Sequence, residues 1–262
     1  MAIHAPEFAT VEGRRLEYRW YGPPADEAPT LVFLHEGLGS ISVWRDFPEA
    51  VCARLGWGGL VYNRLGYGAS DSRPGPLSNR FMHHEALEIL PRLLETFGIV
   101  RPALFGHSDG GSIAIIYAAS QIHQPRALVL EAPHVFVEDV TRRSIAALGA
   151  SYRSTDLRAR LERHHGPNVD RLFDAWTEIW LSERFRGWSL EQLLPAITAP
   201  TLVIQGKNDE YGTVKQVDVI AARASGLVQT LLLEACRHSP HTQRRGIVET
   251  AVIEFLKHCA AA

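Results

Sequence analysis

Cysteine is scarce in this sequence. Its 262 residues include only three cysteines, at positions 52, 236 and 259. An odd number at such wide spacing argues against a framework of disulfides and is typical of proteins that fold in a reducing compartment. We therefore expect a cytoplasmic protein.

The sequence also lacks a strong excess of positive or negative charge, and it lacks long apolar runs. The formal net charge is −2, which argues against a nucleic-acid footprint. No apolar run approaches the roughly 20 residues that a membrane span requires, and residues 1–10 lack the basic start and apolar middle of a secretion signal. No spacing of His, Cys, Asp and Glu resembles a closed metal site. We expect no nucleic-acid partner, no membrane partner, no metal and no cofactor.

What the sequence does contain is an alternation of short apolar runs and helical patterns. Residues 8–21 alternate around Glu12-Gly13, which predicts an opening hairpin. The later apolar runs suit parallel strands that are buried on both faces, and they lie at 30–35, 59–63, 102–107, 127–131, 201–205 and 228–233. Helical patterns lie between most of them, at 44–55, 84–97, 111–120, 213–224 and 245–258, with a kink expected at Pro91. This order predicts an α/β fold, in which a mostly parallel sheet is flanked by helices.

One interval breaks the alternation. Residues 134–197 show helical pattern rich in aromatic side chains and no convincing strand, which predicts a helical lid or cap inserted before the strand that carries Asp209. Residues 1–133 and 198–262 would then form the core domain. Trp176 and Trp180 are four residues apart and share a helix face. They are candidates for substrate contact, although packing within the lid would explain them as well.

The most informative motif is Gly106-His107-Ser108-Asp109-Gly110. It follows an apolar run and leads directly into a helical pattern, so it predicts a sharp strand–turn–helix junction that holds Ser108 in a strained conformation with its hydroxyl exposed. Glycines flank the junction because a Cβ there would collide with the neighbouring strand and helix. Ser108 is the candidate nucleophile.

A serine hydroxyl needs a base to remove its proton, and that base needs a carboxylate to orient it. Loops after later strands offer both groups. Asp209 follows the run at 201–205, and His238 follows the run at 228–233, just before the last helix. Ser108, Asp209 and His238 are therefore the candidate catalytic residues.

Along nearly its whole length the chain resembles the α/β-hydrolase superfamily. The resemblance rests on the opening hairpin, the Gly-x-Ser-x-Gly turn, the Asp in Gly206-Lys207-Asn208-Asp209 and the His before the final helix. The stretch 63–71 also resembles a loop common in that superfamily. The order Ser, Asp, His along the chain is the one expected of this layout. A serine at the turn disfavours epoxide hydrolase and dehalogenase activities, since those relatives carry Asp there.

Two other residues compete for roles in this triad. Glu131 lies where some members of the superfamily place the acid, but Asp209 has the commoner position. His241 competes with His238, although it follows Pro240, where the final helix is expected to begin. Glu210 is adjacent to Asp209 and is expected to point elsewhere.

An oxyanion hole needs two backbone N–H groups. Asp109 would supply the first, and the loop His35-Glu36-Gly37-Leu38 would supply the second. Relatives usually have Gly where this chain has Glu36, so the second donor is Gly37 if Glu36 replaces that Gly, and Leu38 if Glu36 is an insertion. We favour Gly37. Glu36 could contact the substrate, as a similar loop in dienelactone hydrolases suggests, or it could be a buried acid paired with Arg64 or a backbone amide.

These residues predict a serine hydrolase of carboxylic esters or lactones that acts through an acyl-enzyme. An aromatic lid favours a small-molecule substrate with an apolar or aryl group, and Leu38 is a further candidate contact. A hydrolase of carbon–carbon bonds in ring-cleavage products, a thioester or amide hydrolase, and a ligand-binding homologue without turnover are the alternatives. The sequence does not predict the physiological substrate or the oligomeric state.

Overall fold

A computed structural model of the protein describes residues 6–122 and 124–261, so the first five residues of the N-terminal segment lie outside it. One sheet of eight strands forms the centre of the molecule, in the order β1-β2-β4-β3-β5-β6-β7-β8. The strands are β1 (Glu7–Val11), β2 (Arg14–Tyr21), β3 (Thr30–Leu34), β4 (Gly58–Tyr62), β5 (Ala103–His107), β6 (Ala127–Glu131), β7 (Thr201–Gly206) and β8 (Val228–Leu233). Every strand predicted from the sequence is present within about two residues of its expected bounds.

The first two strands form the predicted hairpin. Val11 pairs with Arg14, so the turn consists of Glu12 and Gly13 alone, and both have positive φ angles, of 50° and 73°. Two such residues form the tight turn whose twist matches that of paired strands. Strand β2 is also antiparallel to β4, whereas the pairings from β4 through β8 are parallel.

Eleven helices surround or extend from this sheet in the described part of the chain. They are α1 (Phe47–Leu55), α2 (Phe81–His84), α3 (Leu90–Thr96), α4 (Asp109–Ala119), α5 (Asp139–Tyr152), α6 (Leu157–His165), α7 (Val169–Leu181), α8 (Glu183–Arg186), α9 (Lys215–Arg223), α10 (Pro240–Gln243) and α11 (Arg245–Ala261). Short 3₁₀ turns occur at 41–44, 166–168 and 191–196. No helix of this part of the chain is both long and apolar enough to cross a membrane.

The kink expected at Pro91 takes a particular form. The helix predicted over 84–97 is α2 and α3 joined by a turn of π-helix at 85–89, and Pro91 lies in the first turn of α3. Proline has no N–H to donate to the preceding turn, and a widened turn is one way in which a helix accommodates that loss.

Strands at the centre of the sheet are buried on both faces. All residues of β3 and of β5 are buried, and successive side chains of β3 alternate between two separate apolar clusters. Val32 and Leu34 belong to one cluster, and Leu31 and Phe33 to the other. This is why these strands read as continuous apolar runs in the sequence.

Helices α5 to α8 lie between β6 and β7, as the helical pattern over 134–197 predicted. Helix α5 packs on α7, where the rings of Tyr152 and Phe173 stack with their centroids 3.7 Å apart. An isolated bridge between Phe136 and Ser189 joins the two ends of this segment.

Candidate active site

Ser108 occupies the sharp turn between β5 and α4, as predicted. Its backbone angles are φ 53° and ψ −116°, a region that non-glycine residues rarely adopt and that costs about 1–3 kcal/mol. A Cβ on Gly110 would lie 2.0 Å from the carbonyl oxygen of Leu34 on β3, and one on Gly106 would lie 2.2 Å from that of Gly110. Only glycine fits at these positions, because the strand and the helix approach so closely.

His238 and Asp209 form a hydrogen-bonded pair on the loops that follow β8 and β7. His238 Nδ1 is 2.9 Å from each carboxylate oxygen of Asp209. The carboxylate is 1% exposed and also accepts hydrogen bonds from Gln205 Nε2 at 2.7 Å and from the Tyr211 N–H at 2.8 Å. Asp209 is thus held firmly in place and fixes the orientation of the imidazole.

This pairing changes the basicity of the imidazole. Burial by itself would lower the pKa of His238, but the charge and hydrogen bond of Asp209 outweigh it, helped by Glu36 and Glu210, so that pKa is raised. Burial alone would raise the pKa of Asp209, yet His238 and the Tyr211 N–H keep it below its ordinary value. A carboxylate that stays ionised next to a basic imidazole is what general-base catalysis requires.

Ser108 and His238 line the same cavity. No hydrogen bond joins their side chains within residues 6–122 and 124–261, where His238 is engaged through Nδ1 and its backbone. In enzymes without substrate the bond between nucleophile and base is often long and tightens when substrate binds.

The loop after β3 lines this cavity with Glu36, Gly37 and Leu38. The Leu38 N–H donates to Glu36 Oε2 at 2.5 Å, so it is already occupied. The Gly37 N–H takes part in no hydrogen bond of the described chain. Asp109 begins α4, and the N–H of a first helical residue has no partner within its helix. Gly37 and Asp109 therefore remain the candidate oxyanion donors.

Glu36 is the half-buried acid whose role the sequence left open. Its carboxylate binds the Leu38 amide, whereas Arg64 donates to its backbone oxygen at 2.8 Å rather than to its side chain. Burial raises the pKa of Glu36, and the Leu38 N–H opposes that change. The backbone-amide pairing predicted as one alternative is present, and the carboxylate also lines the cavity.

The carboxylate of Asp109 is the second acid beside Ser108. Asp109 is 1% exposed, and no group in the described part of the chain donates a hydrogen bond to its Oδ2. Arg64 Nη1 lies 3.9 Å away. Burial raises the pKa of Asp109 to about 6, despite the opposing influence of Arg64.

Glu131 and His241, the two competitors for triad roles, pair with each other. Glu131 accepts the His241 N–H at 2.5 Å, and its other oxygen lies 2.7 Å from His241 Nδ1. Both are buried. Next to them, His107 Nε2 lies 2.7 Å from the backbone oxygen of His238, so this group braces the loop that carries the candidate base.

His107, Glu131 and His241 also form a cluster that the sequence spacing did not predict. Their potential metal-ligand atoms all lie within 4.8 Å of one another. The hydrogen bonds described above already occupy both Glu131 oxygens, the Nδ1 of His241 and the Nε2 of His107, whereas the buried Nε2 of His241 has no partner among the described residues. These residues are accounted for as a hydrogen-bond network.

The cavity has a volume of about 220 Å³. Trp176, Trp180 and Leu38 all line it, as do Ile145, Leu148 and Leu161 from the helices between β6 and β7. Trp176 also presses against the candidate oxyanion loop, since a Cβ on Gly37 would lie 2.1 Å from its Nε1. Helix α6 is tied to the same loop, because His165 Nε2 lies 2.8 Å from the Leu38 oxygen.

Several lining residues were not expected from the sequence, and three of them lie close to His238. His134 and Tyr211 pack at centroid distances of 5.9 Å and 4.7 Å from the His238 ring. Burial lowers the pKa of His134 to about 3, so it is neutral at ordinary pH. The expectation that Glu210 points elsewhere is wrong: it lines the cavity and accepts the His238 N–H at 3.3 Å. Only the tertiary fold reveals these positions, since each lies in a loop without a motif.

Comparison with known proteins agrees with this architecture. A family model described as the alpha/beta hydrolase fold matches residues 29–176. The chain is 27% identical over 267 aligned positions to a proline iminopeptidase from Saccharolobus solfataricus, which covers 86% of this chain and 84% of that protein. It is 21% identical over 253 positions to a monoglyceride lipase homolog from Monkeypox virus, with 91% and 92% covered.

A solved structure, the enol-lactonase from Burkholderia xenovorans LB400, superimposes with a TM-score of 0.73 at 22% identity, covering 96% of this chain and 100% of that one. At that identity the superposition speaks for the fold alone. The match of the family model, over more than half of the chain, shows that the protein belongs to the alpha/beta hydrolase fold family.

Proposed function

We propose that the protein is a serine hydrolase that cleaves a carboxylic ester or lactone through an acyl-enzyme. The observation that carries the proposal is the pair formed by His238 Nδ1 and the Asp209 carboxylate at 2.9 Å, in the cavity that Ser108 lines from its strained turn. A monoglyceride lipase homolog among the relatives supports the same class of bond.

The reaction begins when His238 Nε2 takes the proton of Ser108 as the hydroxyl oxygen attacks the carbonyl carbon. The carbonyl π electrons move to its oxygen, and the Gly37 and Asp109 N–H groups stabilise that charge. The tetrahedral intermediate collapses, the C–O bond to the alcohol breaks, and His238 protonates the leaving oxygen. Water then attacks the acyl-enzyme with the same proton transfers, which releases the acid and restores Ser108.

A small substrate with an apolar portion fits the cavity. Its volume of about 220 Å³ is below the usual range of about 300–1,000 Å³ for drug-sized ligands. One wall is apolar, formed by Trp176, Trp180 and their neighbours, and we propose that this wall receives an alkyl or aryl group of the substrate.

Amide hydrolysis is the second candidate, since the proline iminopeptidase is a relative over most of the chain and the same triad chemistry cleaves amides. Hydrolysis of a ring-cleavage product is less well supported. Such a substrate carries a carboxylate, and the lining of this cavity includes Glu36, Asp109 and Glu210 but no Arg or Lys among the described residues.

The test compares wild type with Ser108→Ala on p-nitrophenyl acetate and with a fluorophosphonate label. Wild type should show turnover or a burst and should carry the label on Ser108 by mass spectrometry. Ser108→Ala should lose both. The matched control is Ser154→Ala, which changes an exposed serine at the end of α5 and should behave as wild type.

Equal rates for wild type and Ser108→Ala, with a label elsewhere, would remove Ser108 from the mechanism. A wild type without turnover or labelling would support the ligand-binding alternative. An aminoacyl p-nitroanilide that is cleaved faster than the corresponding ester would assign the protein to amide hydrolysis.

A further inference from the structure

The carboxylate of Asp109 is a buried acid whose Oδ2 accepts no hydrogen bond among the described residues. It is 1% exposed and belongs to the lining of the cavity beside the candidate nucleophile. The Trp176 indole from the same lining lowers the pKa of Asp109, but by less than burial raises it. An unmatched buried charge is costly, and proteins rarely keep one without a partner. Nothing in the proposed ester hydrolysis uses this side chain, because only the backbone N–H of Asp109 serves the oxyanion.

Arg64 does not fully compensate this charge. Its guanidinium is 3.9 Å from Asp109 and donates its closest hydrogen bond to the backbone oxygen of Glu36, at 2.8 Å. It also faces the buried Glu85, whose charge acts on it as that of Asp109 does. One cation is therefore shared among several acids.

The remaining charge of the cavity is also negative. The Glu36 carboxylate lies close enough to raise the pKa of Asp109 further, and its Oε1 makes no hydrogen bond in the described chain. Glu210 is paired with Arg237 at 3.0 Å, so it contributes less. Glu36 and Asp109 place two carboxylates at the cavity, and Arg64 also faces Glu85, so an added cation would reduce the excess of negative charge there.

We propose that the Asp109 carboxylate, supported by Glu36, binds an ammonium group on the acyl portion of the substrate, so that the protein is selective for aminoacyl esters. This inference rests on the proposed serine hydrolase function and specifies its substrate class. A primary ammonium supplies three N–H donors and a positive charge, and charge-assisted hydrogen bonds of this kind are the strongest that a site can offer.

The place of Asp109 in the chain fixes the position of the amine. Ser108 bonds to the acyl carbon, and the next residue carries both the proposed oxyanion donor and the carboxylate. An α-ammonium is separated from the acyl carbon by one atom only, so it stays close to the reacting centre, where Ser108 and Asp109 both line the cavity. An amine far along the alcohol portion would instead lie toward the apolar wall of Trp180 and its neighbours.

The experiment uses two esters of nearly identical shape, alanine benzyl ester and benzyl 2-methylpropanoate, which differ by an ammonium in place of a methyl group. The measured quantity is the ratio of their kcat/KM values, determined from released benzyl alcohol at pH 7. We expect a ratio of about 10 to 100 in favour of the amino ester for wild type, the effect typical of a charged hydrogen bond. In Asp109→Asn the ratio should fall to about 3 or less.

The ratio is used because any disturbance of the oxyanion donor in Asp109→Asn slows both esters together. Asp26→Asn is the matched control, since Asp26 is exposed and distant from the cavity lining, and its ratio should equal that of wild type. Glu36→Gln should lower the ratio by a smaller factor, because it removes the second charge and leaves Asp109 in place.

The outcomes separate this inference from the proposed function. Hydrolysis of both esters at equal efficiency would overturn the amine site and leave the serine hydrolase intact. A high ratio that persists in Asp109→Asn would place the amine elsewhere and also overturn it. Failure of wild type to hydrolyse either ester or to accept a fluorophosphonate would overturn both proposals.

A binding measurement covers the case in which Asp109→Asn does not fold. In the Ser108→Ala protein, calorimetry should give a Kd for the amino ester at least about tenfold lower than that for its methyl counterpart. Equal Kd values would contradict the proposal without any need for turnover.

Discussion

Replacing Asp209 by Asn while leaving Glu131 intact should nearly abolish turnover, whereas Glu131→Gln should mainly affect stability. In the first variant an amide NH₂ takes the place of one acceptor. In wild type the Asp209 carboxylate accepts hydrogen bonds from Gln205 Nε2 and from the Tyr211 N–H, and both of its oxygens lie within hydrogen-bond distance of His238 Nδ1. In either orientation of the Asn side chain, its NH₂ group faces His238 Nδ1 and a second N–H donor, from Gln205 or Tyr211. An NH₂ group cannot accept the Nδ1 proton.

The imidazole then turns to the wrong tautomer, with the proton on Nε2, and cannot take the proton of Ser108. In an enzyme with the same triad this loss is about 10⁴-fold in kcat, and we expect a fall of about 10³–10⁴-fold here. In Glu131→Gln the amide oxygen still accepts the His241 N–H, so the network loses one hydrogen bond at most. That costs about 1–3 kcal/mol of the free energy of unfolding and less than about tenfold in kcat/KM.

The assay is kcat/KM on p-nitrophenyl acetate for both variants, with Tm measured on the same samples. Gln205→Glu is an informative companion, since it places a second carboxylate against Asp209 and should weaken turnover without removing the acid. A larger loss of turnover in Glu131→Gln than in Asp209→Asn would assign the acid to Glu131, and the reasoning from the hydrogen bonds of Asp209 would be wrong.

Three further predictions follow from charge and packing. Because the pKa of His238 is raised and its neutral form is the proposed base, the acid limb of the pH profile of kcat/KM should lie above pH 6.5; a limb below that value in wild type would contradict the role that we propose for Asp209. The same shift means that His238 stabilises the fold fully below pH 6.5 and that this contribution is lost as pH rises through its folded pKa. Asp109, whose pKa rises from 3.8 to about 6, behaves likewise: its protonated form favours the fold below about pH 4, and that advantage is lost as pH rises through about 6. Asp109→Asn should therefore raise Tm at pH 8 by an amount equivalent to at most about 3 kcal/mol, and by little at pH 4; calorimetry that shows no gain at pH 8 would contradict the unmatched charge. Gly37→Ala places a Cβ 2.1 Å from Trp176 Nε1 and should lower kcat/KM by at least about tenfold, with partial recovery when Trp176→Leu is added; an unchanged rate in Gly37→Ala would show that the tryptophan moves away freely.

Most of the fold could be predicted from the sequence, because apolar runs, helical periodicity and turn motifs are local patterns of neighbouring residues. A strand buried on both faces must be apolar throughout, so β3 and β5 are visible as continuous runs. A turn as tight as that at Ser108 admits only glycine at 106 and 110, and this requirement is written directly in the motif. The helix predicted over 84–97 shows the limit of local signals. Pro91 predicts a disturbance of the helix, but the sequence does not tell that this disturbance is a π turn at 85–89.

Which acid serves which histidine was decided only by the tertiary structure. Two carboxylates and two histidines competed in the sequence, and the fold pairs Asp209 with His238 and Glu131 with His241. The same holds for the oxyanion loop, where Leu38 is occupied by the Glu36 carboxylate, and for Glu210 and His134, which reach the cavity from loops without a motif. Strands, turns and the strained junction at Ser108 follow from interactions between neighbours along the chain. The charge pairs join groups that are 29 residues apart (Asp209 and His238) and 110 residues apart (Glu131 and His241), and no periodicity encodes such distances.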